Sequence, residues 1–147
     1  MPTSSTRNLL PVVLTYLPVP IAGAILSAAW NVGASPQGGA GDMFFAGTAL
    51  TPPLFLPVIL VGASFAARRN GVVGRIGAGL TSLVAVAFLA GSTFNLPNDF
   101  AAADAAGTPL ALSAGLAVIH IVLSLTLLYN ALPSVIGRPA ERRAATA

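Results

Sequence analysis

The chain has 147 residues, of which 55% are hydrophobic and only 7% are charged, and its formal net charge is +3. A soluble domain carries about 25% charged residues, so a chain this poor in charge could not cover a water-facing surface, and its solvent must be lipid. Cysteine is absent, which excludes disulfides, thiolate metal sites and redox chemistry through paired thiols. The length allows one domain and about four membrane crossings.

The first predicted span covers residues 8–31 and contains Pro18 and Pro20 near its middle. A proline lacks an N–H and clashes with the carbonyl four residues back, so we expect this helix to be kinked or broken there. A cleaved secretory signal is the alternative interpretation. The apolar run of about 22 residues is longer than the core of a signal peptide, which favours a membrane span.

The second predicted span covers residues 44–67, after a loop at 32–43 that is rich in glycine, serine and proline. Pro52 and Pro53 follow one another near the middle of this span, and Pro57 lies one turn further on. Each removes a helical hydrogen bond, so a bend is expected in this helix as well.

The second half of the chain predicts two smoother spans. A basic turn at 68–75 leads into a third span at 76–96, and a loop with two aspartates follows at 97–108. The fourth span, 110–132, has no formal charge and is long enough to cross a hydrocarbon layer as a helix, which takes roughly 20 residues. Residues 133–147 form a basic cytoplasmic tail in this scheme.

The predicted fold is therefore an all-α membrane protein, a bundle of four transmembrane helices with helices 1 and 2 kinked by proline. Alternating crossings place all basic residues on one side, and three aspartates on the other. The basic residues are Arg7, Arg68, Arg69, Arg75, Arg138, Arg142 and Arg143, and the aspartates are Asp42, Asp99 and Asp104. The positive-inside rule then puts both termini in the cytoplasm. A basic composition made of arginine alone indicates a bacterial source, and hence the plasma membrane.

His120 is the one titratable side chain at the midplane of the predicted bundle. It shares a helix face with Ser113, Ala117 and Ser124, so this face should point inward. In the structural interpretation, His120 donates to a carbonyl freed by a proline and accepts from Thr51 or a water, an interaction worth roughly 0.6 kcal/mol. In the functional interpretation it binds a ligand or handles a proton. A lone histidine cannot hold a metal, and no metal site is predicted.

Polar residues also gather at the outer end of the third span, where Asn95, Asn98 and Asp99 face Trp30 across the predicted mouth. They could line a vestibule that binds a ligand. The alternative is a simple helix end, in which Asn95 terminates the span, Pro97 blocks its continuation, and Asn98 and Asp99 cap a short turn.

The sequence does not name an activity. The leading prediction is a non-catalytic small membrane protein without a cofactor, either a helper subunit or a binder of an apolar ligand. Its predicted partners are the lipid bilayer, an apolar small molecule or another membrane protein, with self-association left open and nucleic acid excluded. The alternatives are a membrane enzyme that acts on a lipophilic substrate through His120, and a small transporter or channel subunit. A cavity from His120 to Asn95 and Asp99 would favour the enzyme or the binder, whereas a filled core would favour the helper subunit.

Overall fold

The computed structural model of the chain describes residues 4–136, with side chains from Leu9 onward. Its helices are α1 (Ser4–Tyr16), α2 (Pro18–Trp30), α3 (Phe55–Ala67), α4 (Gly71–Phe94), α5 (Leu96–Ala105) and α6 (Leu110–Ile136), with one 3₁₀ turn at Ala40–Met43. Within these described residues there is no β-strand, and the β-type pairing is a single isolated bridge between Thr48 and Thr51. The all-α prediction is confirmed for this part of the chain.

Three helical stretches are long and apolar enough to cross a membrane. They are Leu9–Trp30, which joins α1 and α2, then Gly71–Phe94 and Leu110–Ile136. Helix α3 is apolar but shorter, with 13 residues, or about 20 Å at 1.5 Å per residue. Many large hydrophobic side chains of these helices face outward, for example Val58 at 70% and Leu83 at 65% exposure. These features indicate a membrane protein.

The first long stretch is interrupted where the prolines were expected to act. Helix α1 ends at Tyr16 and α2 begins at Pro18. Leu17 between them keeps helical dihedral angles (φ −52°, ψ −39°), and its carbonyl accepts a long bond of 3.4 Å from the Ile21 N–H. Because Pro18 and Pro20 supply no N–H, the helical hydrogen bonding is interrupted at this point.

The second predicted span is wrong over its first half, because residues 44–54 are not helical. Gly47 has a positive φ of +78°, and Thr48 and Thr51 exchange backbone hydrogen bonds of 2.8 and 3.3 Å across a tight turn. The residue before a proline is disfavoured in the helical region, and Pro52 and Pro53 remove two consecutive donors. The proline pair therefore does not bend a helix here, and α3 starts only at Phe55.

The predicted loop at 97–108 is also wrong, since most of it forms α5. Pro97 lies in the first turn of this helix, where a missing N–H costs nothing and the fixed φ suits the helix. Pro97 thus ends one helix and starts the next. Asn95 is the residue between them, as its predicted role of terminating the third span required.

Two further helix boundaries differ from the predicted ones. Helix α4 starts at Gly71, five residues before the predicted third span, and α6 continues through Pro133 to Ile136. The first four residues of the predicted tail are therefore helical. Residues 137–147, with Arg138, Arg142 and Arg143, lie outside the described residues, as does the side chain of Arg7.

Helices α1, α3, α4 and α6 pack as a ring, in which α1 and α4 each contact both α3 and α6. At one end, Leu9, Ala67, Ala78 and Ala131 form a buried cluster. A Cβ at Gly77 would overlap the backbone of Ala67, so α3 and α4 touch closely there.

This end also carries the exposed Arg68 and Arg69 at the junction of α3 and α4, and we call it the arginine end. The opposite end, formed by residues 31–54 and 95–109, is called the loop end. Asp42, Asp99 and Asp104 all lie at the loop end.

Candidate functional site: a polar-mouthed cavity at the loop end

A cavity of about 310 Å³ enters the bundle from the loop end. Its walls come from five parts of the chain. The inner walls are apolar or weakly polar, and the mouth carries amide and carboxyl side chains. Residues 46–53 form one wall, Phe88, Gly91, Ser92 and Asn95 of α4 another, Asn98 and Asp99 come from α5, and Ala117 and His120 from α6. Ala34 completes the lining.

The turn at residues 48–51 reaches deep into the bundle and forms the side of the cavity. The Thr51 hydroxyl donates to the Pro20 carbonyl over 3.0 Å, and a Cβ at Gly23 would overlap the Leu50 carbonyl oxygen. Pro20 lies about 15 Å along α2 from its end at Trp30. Non-helical backbone at such a depth is tolerated where it is buried in protein or lines a cavity, and this turn does both.

His120 lies on the inner wall with only 5% of its surface exposed. Its Nδ1 is 2.9 Å from the Leu116 carbonyl oxygen, one turn back on the same helix. A carbonyl only accepts, so Nδ1 carries the proton, and in the uncharged ring Nε2 is left as an acceptor. Among the described residues Nε2 has no hydrogen-bond partner.

This arrangement corrects the structural interpretation of His120 made from the sequence. The ring does not donate to a carbonyl freed by a proline, because the carbonyl of Leu116 in its own helix is nearer. Thr51 does not donate to the ring either, because its hydroxyl is bonded to Pro20. Nε2 has no partner among the described residues, and the hydrogen bond that it was expected to accept from a water stays a prediction.

Two aromatic residues that sequence analysis missed pack beside His120. The Tyr16 ring stacks on Phe88 with centroids 5.2 Å apart and meets the His120 ring edge-on at 5.8 Å. Tyr16 is fully buried, and its hydroxyl has no partner among the described residues. Tyrosines of membrane helices are enriched at the interfaces, so a tyrosine in mid-span was a signal that could have been used.

The mouth of the cavity brings together the predicted polar residues at the junction of α4 and α5. Asn95 ends α4, and its carbonyl accepts from the Asp99 N–H over 2.9 Å. Neither Asn98 nor Asp99 acts as the predicted cap of an interfacial turn, because both lie within α5. Asp99 is half-buried, and burial raises the pKa of its carboxyl to about 6.

Two of the predicted ligand-binding residues do not reach the cavity. Trp30 is 36% exposed at the end of α2 and is not part of the lining. Ser124 is fully buried one turn beyond His120, and its hydroxyl has no partner within residues 4–136, but it too lies outside the lining. The structure therefore brings His120, Thr51, Asn95, Asn98 and Asp99 to one cavity.

The loop residues opposite the mouth have structural roles. The Asn31 side-chain oxygen accepts from the Ala40 N–H over 3.2 Å, and the Asp42 carboxylate accepts from the Ala34 N–H over 3.3 Å. These bonds hold the loop at 31–43 in place, and Asp42 is not part of the cavity lining.

Within residues 4–136, no group of three or more histidine, cysteine or acidic side chains is close enough to hold a metal ion. The titratable side chains of the lining are one imidazole and one carboxyl. No family model matches the chain, and comparison with curated proteins and with solved structures gives no match.

Proposed function

We propose that this chain is a non-catalytic membrane protein that binds a small amphipathic molecule in the loop-end cavity. The observation that carries the proposal is the cavity itself, which runs from His120 to the polar mouth at Asn95 and Asp99. A core filled by side chains would have favoured a helper subunit. Ligand pockets span about 300–1,000 Å³, so this cavity has the volume for a small molecule.

The proposal includes four membrane crossings. Helix α3 covers about 20 Å of a hydrocarbon layer that is about 30 Å thick, and the turn at 44–54 supplies the rest of the second crossing. The bond from Thr51 to Pro20 supports this, since it ties the turn to the middle of the first crossing. The four crossings form a bundle in which the second is half helix and half turn.

We place the protein in a bacterial plasma membrane with both termini in the cytoplasm. The distribution of charged residues supports this placement. Exposed arginines lie at the arginine end, and the three described aspartates lie at the loop end. The positive-inside rule assigns the arginine end to the cytoplasm. The cavity then opens toward the outside of the cell, and its ligand arrives from there or from the outer leaflet.

A photolabelling experiment with a short alkanol that carries a diazirine tests the binding proposal. The full chain in lipid nanodiscs is irradiated with the probe, and labelled peptides are mapped by mass spectrometry. We expect labels around Phe88, Ala117 and His120. Gly91 faces open space in the cavity wall, so Gly91→Leu should place a side chain in the cavity and reduce this labelling at least fivefold.

Gly62→Leu is the matched control, because Gly62 also has open space around it but lies exposed on α3, away from the cavity. It should label as the wild type does. Equal labelling of the cavity peptides in the Gly91 and Gly62 variants, or labels confined to lipid-facing residues, would contradict the proposal.

A small transporter is the second candidate, and the broken second crossing is the observation that favours it. In many transporters a helix is discontinuous at membrane depth, and the unwound backbone contributes to the solute site. Residues 46–53 line the cavity in this way. Release of the probe from loaded liposomes that contain the protein would demonstrate transport. Gly91→Leu should block this release.

A further inference from the structure

One face of α4 has different neighbours at its two ends. Near the arginine end, a Cβ at Gly77 would overlap the backbone of residues 63–67, so this face packs directly against α3. Steps of three and four residues continue the same face toward the loop end, where Phe88, Gly91 and Asn95 line the cavity. The second crossing is not helical at that level. The cavity therefore lies where a full-length second helix would pack against α4.

Burial along this face of α4 changes at the same level. Thr81, Val84 and Phe88 are buried, whereas Gly91 is half-buried and Asn95 is exposed. Because the face stays the same while its partner changes from α3 to the stretch 44–54, the added exposure comes from looser packing between these two parts of the chain. The gap between them is the cavity.

This gap lies at a seam between two neighbouring crossings. Helices α3 and α4 are adjacent in the ring of four, so the outer side of the seam between them faces lipid. Exposed aromatic side chains flank the lining on both sides: Phe94, 84% exposed, precedes Asn95, and Phe45, 80% exposed, precedes Ala46. Apolar surface this exposed marks contact with a membrane. These positions indicate that the cavity also opens sideways, toward the lipid.

The depth of the cavity corresponds to about one leaflet. Its wall is bonded through the Thr51 hydroxyl to the Pro20 carbonyl, which lies about 15 Å along α2 from the loop end. The hydrocarbon layer of a bilayer is about 30 Å thick. A lipid chain that enters through the seam would therefore meet the cavity over most of the depth of its own leaflet.

The wall formed by residues 48–54 suits a hydrocarbon neighbour. An unsatisfied backbone group costs several kcal/mol in lipid, and the N–H groups of this wall are all bonded within the protein, namely those of Thr48, Ala49, Leu50, Thr51 and Leu54. Pro52 and Pro53 have no N–H. The exposed polar side chains of the lining, Asn95 and Asn98, lie at the junction of α4 and α5 near the loop end.

We propose that the cavity opens between α4 and the stretch 44–54 into the outer leaflet, and that its ligand is one acyl chain of a phospholipid from that leaflet. This inference rests on the proposed binding function and orientation. The chain passes between Phe45 and Phe94 and lies against Phe88 and Ala117, while the headgroup stays at the loop end. The lining contains no arginine or lysine, so a zwitterionic headgroup fits this end better than an anionic one.

A phospholipid that cannot leave the bilayer tests the ligand and its route together. Phosphatidylcholine with a diazirine in one acyl chain is built into nanodiscs with the full chain, and labelled residues are mapped by mass spectrometry. We expect labels on Phe88 and Ala117 inside the bundle, as well as on lipid-facing side chains such as Leu83. Gly91→Leu should abolish the labels inside the bundle and leave the label on Leu83 unchanged.

Gly79→Leu is the matched control, because Gly79 lies on the same helix with open space around it and outside the lining. It should keep both kinds of label. Thermal unfolding followed by circular dichroism shows whether each variant is folded. Ser92→Leu, from the same wall of the cavity, is the second blocking variant and should act as Gly91→Leu does.

The outcomes separate this inference from the proposed binding function. If the alkanol probe labels Ala117 and the phospholipid does not, the ligand enters by the polar mouth, and this inference is overturned while the binding function stands. Labels inside the bundle that persist in both blocking variants would also overturn it, because the acyl chain would then lie outside this cavity. If neither probe labels the inside of the bundle, the binding function and this inference fail together.

Discussion

The Thr51 hydroxyl donates a hydrogen bond of 3.0 Å to the carbonyl oxygen of Pro20, and this bond joins a non-helical turn to the middle of a helix. The two residues are 31 positions apart in the sequence. Because the turn also forms a wall of the cavity, the bond ties the shape of the candidate site to the proline-interrupted first stretch.

Thr51→Val should therefore destabilise the protein by about 1–2 kcal/mol, since valine keeps the shape and removes the buried donor. Thermal unfolding in detergent, followed by circular dichroism, measures the effect. Thr126→Val is the control, because that hydroxyl bonds only to the Val122 carbonyl of its own helix, and a change within 0.5 kcal/mol is expected. Equal effects of the two substitutions would show that the contact with Pro20 contributes nothing.

Gly23→Ala should be strongly destabilising, by about 1–3 kcal/mol. A Cβ at this position would overlap the Leu50 carbonyl oxygen, and that oxygen belongs to a backbone turn that cannot rotate away. Gly62→Ala, with open space around it, should be neutral or stabilising because alanine favours the helix. The same unfolding measurement applies, and a Gly23 variant as stable as the wild type would mean that α2 and the turn are not in contact.

Stability should fall as the pH rises from about 4 to about 6, through Asp99. Its pKa is raised from 3.8 to about 6 in the folded protein, so the folded state binds this proton more tightly than the unfolded state does. The stabilisation is complete below the unfolded pKa and is lost as the pH rises through the folded value. Solvent at the half-exposed carboxyl reduces the size of the effect.

The pH experiment compares the wild type with Asp99→Asn, which should be flat over this range, and with Asp104→Asn, which should follow the wild type. The other titratable group on the cavity is His120, and it is present in all three proteins, so the difference between them isolates Asp99. A wild-type stability that rises between pH 4 and 6, relative to Asp99→Asn, would contradict the prediction.

Single cysteines test the proposed topology, which is simple because the chain contains none. Ser35 is exposed at the loop end and Asn70 is exposed at the arginine end. In spheroplasts, a membrane-impermeant maleimide should label Ser35→Cys and should label Asn70→Cys only after lysis. Labelling of Asn70→Cys alone from outside would reverse the proposed orientation. Labelling of both variants from outside would mean that the chain between residues 35 and 70 does not cross the membrane an odd number of times, which would contradict the proposed topology.

Much of the helical framework could be read from the sequence, since transfer into lipid depends on local composition. The scarcity of charge predicted a membrane protein, and apolar runs located α4 and α6 with errors of a few residues at their ends. The prolines at 18 and 20 marked the interruption after Tyr16, because a missing N–H is a property of the residue itself.

Only the tertiary structure shows which hydrogen-bond partners the backbone of the apolar stretch 44–54 finds. Hydropathy is the same whether such a stretch is helical or is folded as a turn against Pro20 and Gly23, so composition predicted a helix that does not form. The polar residues at its mouth were a sequence signal for a vestibule, but the volume of the cavity had no such signal, because it is the space that packed helices leave unfilled. His120, Tyr16 and Phe88 come from three helices, and the contacts among their rings depend on how those helices pack.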